Sequence, residues 1–536
     1  MRIIIDVIVC RIICQYIYWR RYLLYAMQLS KIKLSKIFDD IYDVKDGIPT
    51  FRNFIGGKWV ESNTKKFIDV RSPIDNAAIA RVPACNEKDV DSAVTAAYNA
   101  RQTIRDVPGI ERLEFLEEVR KVLTAHKEDF VNTIMLEAGK PRKDAEGEVK
   151  ASIERLELSM EEASRIFGEY LPGDWSPDTI GKYALVIREP LGVVATISPF
   201  NYPLFIGLAK IVPALLAGNT VVSKPPSADP LALTLFARIM EEAGIPEGVF
   251  NVVTGNGSPV GDALVSDERI SMVNFTGSTE TGKSISKKAV LKKLHLELGG
   301  KGMAIVLDDA DLELAAKSCT DGALKNAGQR CDAVSAVLVQ ESVADEFVSK
   351  VLRHVDPWKV GDPRGEGINI GPLITEDAAV YVEELVKDAV EKGAKLLKGG
   401  KRKGNYFEPT VLDKVPLTAK IAWEETFGPV VTIIRIKSED EAIEIGQKSN
   451  YGLDSCVFSN NFYRMWKIAK RLQVGEITIN DLPRHGVGYF PFGGVKYSGL
   501  GREGIGHSIK EMTTLKTIVF NLDPGQLGKP KKIVND

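Results

Sequence analysis

Apolar residues recur at three- and four-residue spacing between 87 and 170, which predicts helices over Asp89 to Arg101, Glu111 to His126 and Ala145 to Phe167. The period then changes. Leu191 to Ile197, Asn219 to Lys224, Val249 to Thr254, Ile270 to Phe275 and Leu294 to Leu298 are short, mostly apolar runs that predict strands. Helical spacing separates them at Ala209 to Leu216, Pro230 to Ala243, Pro259 to Ser266 and Thr279 to Ala289. Strand and helix alternating at this spacing predict an α/β fold with a parallel, doubly wound sheet. A second α/β unit follows, with strands at Val334 to Gln340, Val430 to Ile436 and Gly475 to Asn480. Its helices are expected over Val343 to Val355, Asp377 to Lys392 and Glu439 to Ser449. Turn-rich pieces such as Gly361-Asp362-Pro363 and Lys398-Gly399-Gly400-Lys401 punctuate it, and no internal repeat is evident.

Composition narrows the class. The 536 residues suffice for two or three domains, and 44% hydrophobic with 26% charged residues is a globular balance. A net charge of -2 gives no global field to recruit nucleic acid. Lys529, Lys531 and Lys532 read as a solvated end. The six cysteines include no CxxC and the five histidines do not cluster, so no metal site or disulfide framework is expected, and a reducing cytoplasm is the default compartment. Scarce glutamine beside abundant Lys and Glu suggests a thermophilic source. The Ile/Val/Tyr-rich stretch Met1 to Ala26 is broken by Arg2, Asp6, Arg11, Arg20 and Arg21, too often for a membrane span of about 20 residues. Three readings stay open for it: a start placed upstream of Met27, an added structural arm, or a membrane anchor.

The chemistry concentrates in two motifs, Glu297-Leu298-Gly299-Gly300-Lys301 and Asn326-Ala327-Gly328-Gln329-Arg330-Cys331. A thiolate can attack a carbonyl carbon, and a carboxylate can then activate water to release the acyl group. On these motifs the chain resembles the aldehyde dehydrogenase superfamily. Ser198-Pro199-Phe200-Asn201-Tyr202-Pro203, Ser223-Lys224-Pro225-Pro226, Phe275-Thr276-Gly277-Ser278, Glu424-Glu425-Thr426-Phe427-Gly428-Pro429 and Pro491-Phe492-Gly493-Gly494 carry the resemblance further, in order and spacing, from Phe54-Ile55-Gly56-Gly57 to about Phe520.

The resemblance implies a role for each motif. Cys331 would be the nucleophile, Glu297 the base that activates water, and Asn201 with the Cys331 backbone N–H the oxyanion donors. Ser198, Lys224, Ser227, Gly277, Ser278, Glu425 and Phe427 would hold a nicotinamide cofactor. Many NAD-preferring relatives carry Glu where this chain has Ser227. A carboxylate would repel a 2′-phosphate, so Ser227 beside Lys224 favours NADP or dual use with NAD. The implied domains are an N-terminal extension (1–50), a Rossmann-like cofactor domain (51–170 and 189–298) and a catalytic domain (299–512). A β-arm for a homo-oligomer, dimer or tetramer, would be built from 171–188 and 513–521, ahead of a tail (522–536).

Arg330 suggests the substrate. A buried guanidinium needs a partner, and its fork suits phosphate or carboxylate. Gly328-Gln329-Arg330-Cys331-Asp332-Ala333 is similar to the archaeal non-phosphorylating glyceraldehyde-3-phosphate dehydrogenases, and Arg484 matches an arginine those enzymes place at the substrate phosphate. Arg155 is the candidate third cation. The implied reaction takes a small phosphorylated aldehyde, glyceraldehyde 3-phosphate, to 3-phosphoglycerate, a glycolytic step. A succinate- or other semialdehyde dehydrogenase, in which Arg330 holds a carboxylate, is the competing enzyme. A catalytically silent protein on the same fold is the competing class, and Arg330 in a purely structural ion pair is the competing role.

Overall fold

Five of the apolar runs line up as one parallel sheet in the computed structural model, which describes residues 32–484 and 486–522. Across the sheet the order is Lys293–Glu297, Ile270–Thr276, Val193–Ile197, Thr220–Lys224 and Phe250–Val252. The chain starts in the middle strand, Val193–Ile197, proceeds outward on one side and then returns to build the other. The strand order therefore reverses between Val193–Ile197 and Ile270–Thr276. Open α/β sheets bind ligands outside the carboxyl ends of the strands at such a point. Every residue of Val193–Ile197 and Thr220–Lys224 is buried, as expected of parallel strands covered on both faces. The helix Pro203–Leu216 opens with proline at its first position, where no N–H is needed, and is buried along its whole length.

This sheet is extended at both edges. The hairpin Asn53–Ile55 and Lys58–Val60 joins one side through Phe54 and Val252. On the other side Gly499–Leu500 pairs antiparallel with Lys293–Glu297. Residues 499–512, placed from sequence in the catalytic domain, thus complete the cofactor-side sheet, and Ile509 and Met512 are buried in its core. Residues 32–51 likewise belong to the folded unit and not to a separate extension. Phe38 and Ile41 are fully buried, and Ser35 is tied to Asp129 through its N–H and hydroxyl.

The second sheet has seven strands: Lys395–Lys398, Thr410–Asp413, Val430–Ile436, Val334–Gln340, Gly302–Val306, Asp454–Phe458 and Glu476–Ile479, all parallel except the first. A third, antiparallel sheet of Glu169–Pro172, Lys182–Pro190 and Thr513–Asn521 matches the expected β-arm. It leaves Tyr170, Leu171, Leu515 and Val519 exposed. The readings of Met1 to Ala26, of Cys10 and Cys14, and of the tail beyond 522 lie outside the described residues.

One buried ion pair holds the helical layer to this frame. Glu148 on the helix Arg142–Ala163 pairs with Lys140, and both side chains are essentially inaccessible. The other oxygen of Glu148 accepts the N–H groups of Leu204 and Phe205, capping the helix Pro203–Leu216. Replacing Glu148 with Ala strands the Lys140 charge and uncaps that helix. The expected loss is about 3–5 kcal/mol in chemical denaturation. An unchanged unfolding midpoint would show that the pair contributes nothing.

Candidate active site

The site assembles where the carboxyl edge of the first sheet meets the turn ahead of Cys331. That turn is unusual: Asn326 (φ 54°), Ala327 (φ 56°) and Gly328 (φ 72°) are consecutively left-handed. For a residue with a Cβ this conformation costs roughly 1–3 kcal/mol, so the surroundings must impose it. Asn326 Nδ2 donates to the Asn201 carbonyl at 3.2 Å and to the Gln329 carbonyl at 3.3 Å. At Gly328 a Cβ would stand 2.1 Å from the Gly428 carbonyl, so this position needs glycine twice over. The turn delivers Gln329, Arg330 and Cys331 against the loop that follows Val193–Ile197. There Asn201 Nδ2 donates to the Gln329 carbonyl at 3.0 Å. The amide has a second N–H, which remains for another acceptor.

Cys331 keeps partial exposure within dense surroundings. Burial, then the charges of Asp332, Asp454, Glu425 and Glu297, hold its thiol well above the usual range. Cys85, Cys319 and Cys456 are buried. Glu297 ends its strand and is buried. Its Oε1 lies 2.9 Å from His295 Nε2, and its Oε2 has no hydrogen-bond partner. Burial raises its carboxyl and the His295 contact opposes that rise. Below this pair, Lys210 Nζ donates to Asn274 Oδ1 at 2.9 Å and lies 3.4 Å from Glu503.

The residues expected to hold a cofactor line the point where strand order reverses. Ser198 follows Val193–Ile197 and Thr276 ends the neighbouring strand. The hydroxyls of both are buried without a protein partner. Gly277 donates its N–H to the Glu297 carbonyl at 3.0 Å. Ser278 caps the helix Thr279–Lys288 by accepting from the Thr281 N–H. A helix N-terminus opening there offers free N–H groups and a positive dipole end. Lys224 ends its strand, and its ammonium, pushed down to about 8 by burial, reaches Ser227 Oγ at 3.3 Å. Ser227 in turn donates to the Gly255 carbonyl. Glu425 accepts the Gly300 N–H at 3.2 Å and is pushed up to about 7 by burial. Gly299 leaves it room, since a Cβ there would come within 2.8 Å of Glu425 Oε2. Phe427 stands edge-on to Phe200. Orphan hydroxyls, a capped helix start and two glycine-lined approaches fit a dinucleotide across this edge. Among the described residues, no cluster of His, Cys, Asp and Glu could hold a metal.

The three arginines separate. Arg330 is buried and engages Asp332 through both Nε (3.0 Å) and one terminal nitrogen (2.7 Å), while its remaining nitrogen, Nη1, has no partner. The ion pair expected as the competing role is therefore present, and one edge of the fork is left over. Arg484 is exposed and contacts Asp481 at 3.1 Å. Arg155 is buried, its guanidinium against Glu503 at 3.3 Å and the Phe205 ring, and it donates to the Val487 carbonyl on the loop downstream of Arg484. Lys325, not among the residues expected from sequence, is a further cation near Arg330. Its ammonium is depressed first by burial and then by the charge of Arg330, with Asp144 and Asp332 opposing and Arg484 adding to the effect. Lys325 opens the strained turn, and that position was its only sequence signal.

Fold and site together define a dinucleotide-dependent α/β protein with a cysteine and a glutamate at the junction of two sheets. The chain belongs to the aldehyde dehydrogenase family, whose pattern matches residues 59–518, and as a member it is an oxidoreductase. It is 43% identical over 473 residues to the NADP-dependent glyceraldehyde-3-phosphate dehydrogenase of Streptococcus equinus, covering 88% of this chain and 99% of that one. The solved NADP-dependent glyceraldehyde-3-phosphate dehydrogenase of Bacillus halodurans, complexed with NADP, superposes with a TM-score of 0.87 at 43% identity, over 88% of this chain and 99% of that one. The lactaldehyde dehydrogenase of Methanococcus maripaludis is 38% identical over 474 residues, covering 87% of this chain and 99% of that one.

The raised thiol makes a direct prediction. A group whose proton is held more tightly than usual is mostly protonated near neutrality, so alkylation of Cys331 in the cofactor-free protein should accelerate about tenfold per pH unit from 7 upward. Iodoacetamide labelling followed by peptide mapping measures it. A rate flat between pH 7 and 9 would mean that the thiolate is already formed.

Proposed function

We propose that this chain oxidises glyceraldehyde 3-phosphate to 3-phosphoglycerate with NADP, through a covalent intermediate on Cys331. The observation that carries the proposal is the Arg330 guanidinium adjoining Cys331: after pairing with Asp332 it keeps one buried nitrogen, Nη1, without a hydrogen-bond partner. A spare guanidinium edge next to the reacting cysteine suits an anionic group on the substrate. Relatives named for glyceraldehyde 3-phosphate support the same substrate.

In this reading Cys331 first gives up its proton to solvent, and the thiolate sulfur then adds to the aldehyde carbon. The spare Asn201 amide N–H and the Cys331 backbone N–H stabilise the oxyanion that forms. When bound, NADP supplies the acceptor for the hydride that leaves this carbon. The product of that step is a thioester on Cys331. Glu297 then takes a proton from water through its unpartnered oxygen, the C–O bond forms, and the C–S bond breaks to release the acid. Retention of a carboxylate here favours hydrolysis over transfer of the acyl group to a thiol acceptor. Ser227 places no negative charge near Lys224, which leaves room for a 2′-phosphate and favours NADP over NAD. The exposed apolar strand Thr513–Asn521 suits assembly of a cytoplasmic dimer or tetramer through the arm.

Lactaldehyde and semialdehydes are the competing substrates, and phosphate recognition separates them. Arg484 is exposed and can be altered without disturbing the core. Arg484→Lys keeps the charge but loses the planar fork. It should lower kcat/KM for glyceraldehyde 3-phosphate by about 10- to 100-fold, the equivalent of roughly 1.5–3 kcal/mol, and leave glyceraldehyde within about twofold. Equal losses on both substrates would remove the phosphate reading. A wild-type preference for lactaldehyde or succinate semialdehyde over glyceraldehyde 3-phosphate would replace it.

A further inference from the structure

His295 and Glu297 are two residues apart on the strand Lys293–Glu297, so their side chains leave the same face of the sheet. The imidazole is fully buried, with Nε2 at 2.9 Å from Glu297 Oε1. Two buried atoms of the pair have no hydrogen-bond partner, His295 Nδ1 and Glu297 Oε2. Gly493 passes beside the contact, where a Cβ would come within 2.9 Å of Oε1.

These facts select a tautomer. A proton on Nδ1 would be a buried donor with nothing to accept it, which costs about 1–3 kcal/mol. An imidazolium would carry the same orphan proton together with a buried charge, close to the ammonium of Lys210. A single proton on Nε2 is satisfied by the carboxylate. The geometry points to His295 as a positioning residue for Glu297: its Nε2–H holds Oε1 and leaves Oε2 to take the proton of the hydrolytic water. This rests on the reading of Glu297 as the deacylating base.

The contact does two things. It removes the carboxylate's freedom to rotate away from the thioester, and it supplies a donor that opposes the rise burial imposes on this carboxyl. The other charges acting on Glu297 are Glu503, from the segment beside Gly499–Leu500, and Lys210, from the helix Pro203–Leu216. Arg155, from the helix Arg142–Ala163, pairs with Glu503, and Cys331 faces the pair from the second sheet. Lys210 and Glu503 lie against each other, so neither supplies the donor that Oε1 receives from His295.

Two substitutions test the assignment. Gln at 295 can place an amide N–H near the position of Nε2, whereas Leu fills the space without a donor. His295→Leu should lower kcat by about 10- to 100-fold, at or below the roughly 10²–10⁴ that loss of the general base itself would remove. KM should change little and the first-turnover burst of NADPH should survive, because thioester formation does not use Glu297. Its kcat–pH profile should move to higher pH, since a carboxylate without its donor ionises later. His295→Gln should recover kcat to within about threefold of wild type. Equal losses in the two variants, or an unaltered pH profile in His295→Leu, would make His295 a packing residue and overturn the inference. The ¹⁵N shifts of the His295 imidazole in the resting wild-type protein decide the same point without substitution or substrate, and so separately from the aldehyde reading. A protonated Nε2 with a bare Nδ1 supports the assignment. The reverse tautomer or a doubly protonated ring overturns it.

Discussion

Asn201 and the turn before Cys331 hold each other through reciprocal contacts: the Asn201 amide donates to the Gln329 carbonyl, and the Asn326 amide donates to the Asn201 carbonyl. One partner lies on the loop after a strand of the first sheet and the other on the turn ahead of a strand of the second, so these contacts tie the two sheets together beside Cys331. Asparagine tolerates the left-handed backbone of Asn326, helped by its local bond to the Gln329 carbonyl, whereas the same conformation at Ala327 has to be imposed by the surroundings. The same contacts leave a single Asn201 N–H for the oxyanion. A structural tie and a chemical group are thus supplied by one side chain.

The electrostatics of the junction follow from its burial. Asp332, Asp454, Glu425 and Glu297 all act on the Cys331 thiol, and Arg330 interacts with it in the opposite sense. Arg330, adjacent in sequence, is occupied by Asp332 on two of its nitrogens. The thiol of the resting cysteine is thus held above its usual range, and the carboxylate of Glu297 is in contact with His295. On the outer side Lys325 and Arg484 are exposed cations, answered in part by Asp144, Asp332 and Asp481.

Much of the first sheet was legible in the sequence, because parallel strands buried on both faces are continuous apolar runs. The second sheet was less so. Gly302–Val306 begins directly after a glycine-rich motif, and Asp454–Phe458 opens on a buried aspartate, so neither shows a clean run although both lie inside the sheet. The helix Lys127–Ala138 escaped because His126 both closes the preceding helix and opens this one, with no turn residue between. Cys331, Glu297 and Asn201 are expected from motifs, and the fold brings them near one another. The pairing of Arg155 with Glu503 was not legible, because the two are distant in sequence and close only in the folded chain. His295 left a faint signal, an alternation with Glu297 on one strand that places both on the same face.

The account stands on an acyl group passing through Cys331 and leaving by way of Glu297. The most direct measurement is mass spectrometry of the Glu297→Gln protein, quenched in acid after mixing with NADP and glyceraldehyde 3-phosphate. A 3-phosphoglyceroyl thioester on the peptide containing Cys331 is the predicted result, accumulating because its hydrolysis is blocked. An unmodified Cys331, or an adduct on Cys85, Cys319 or Cys456 in its place, would contradict the account.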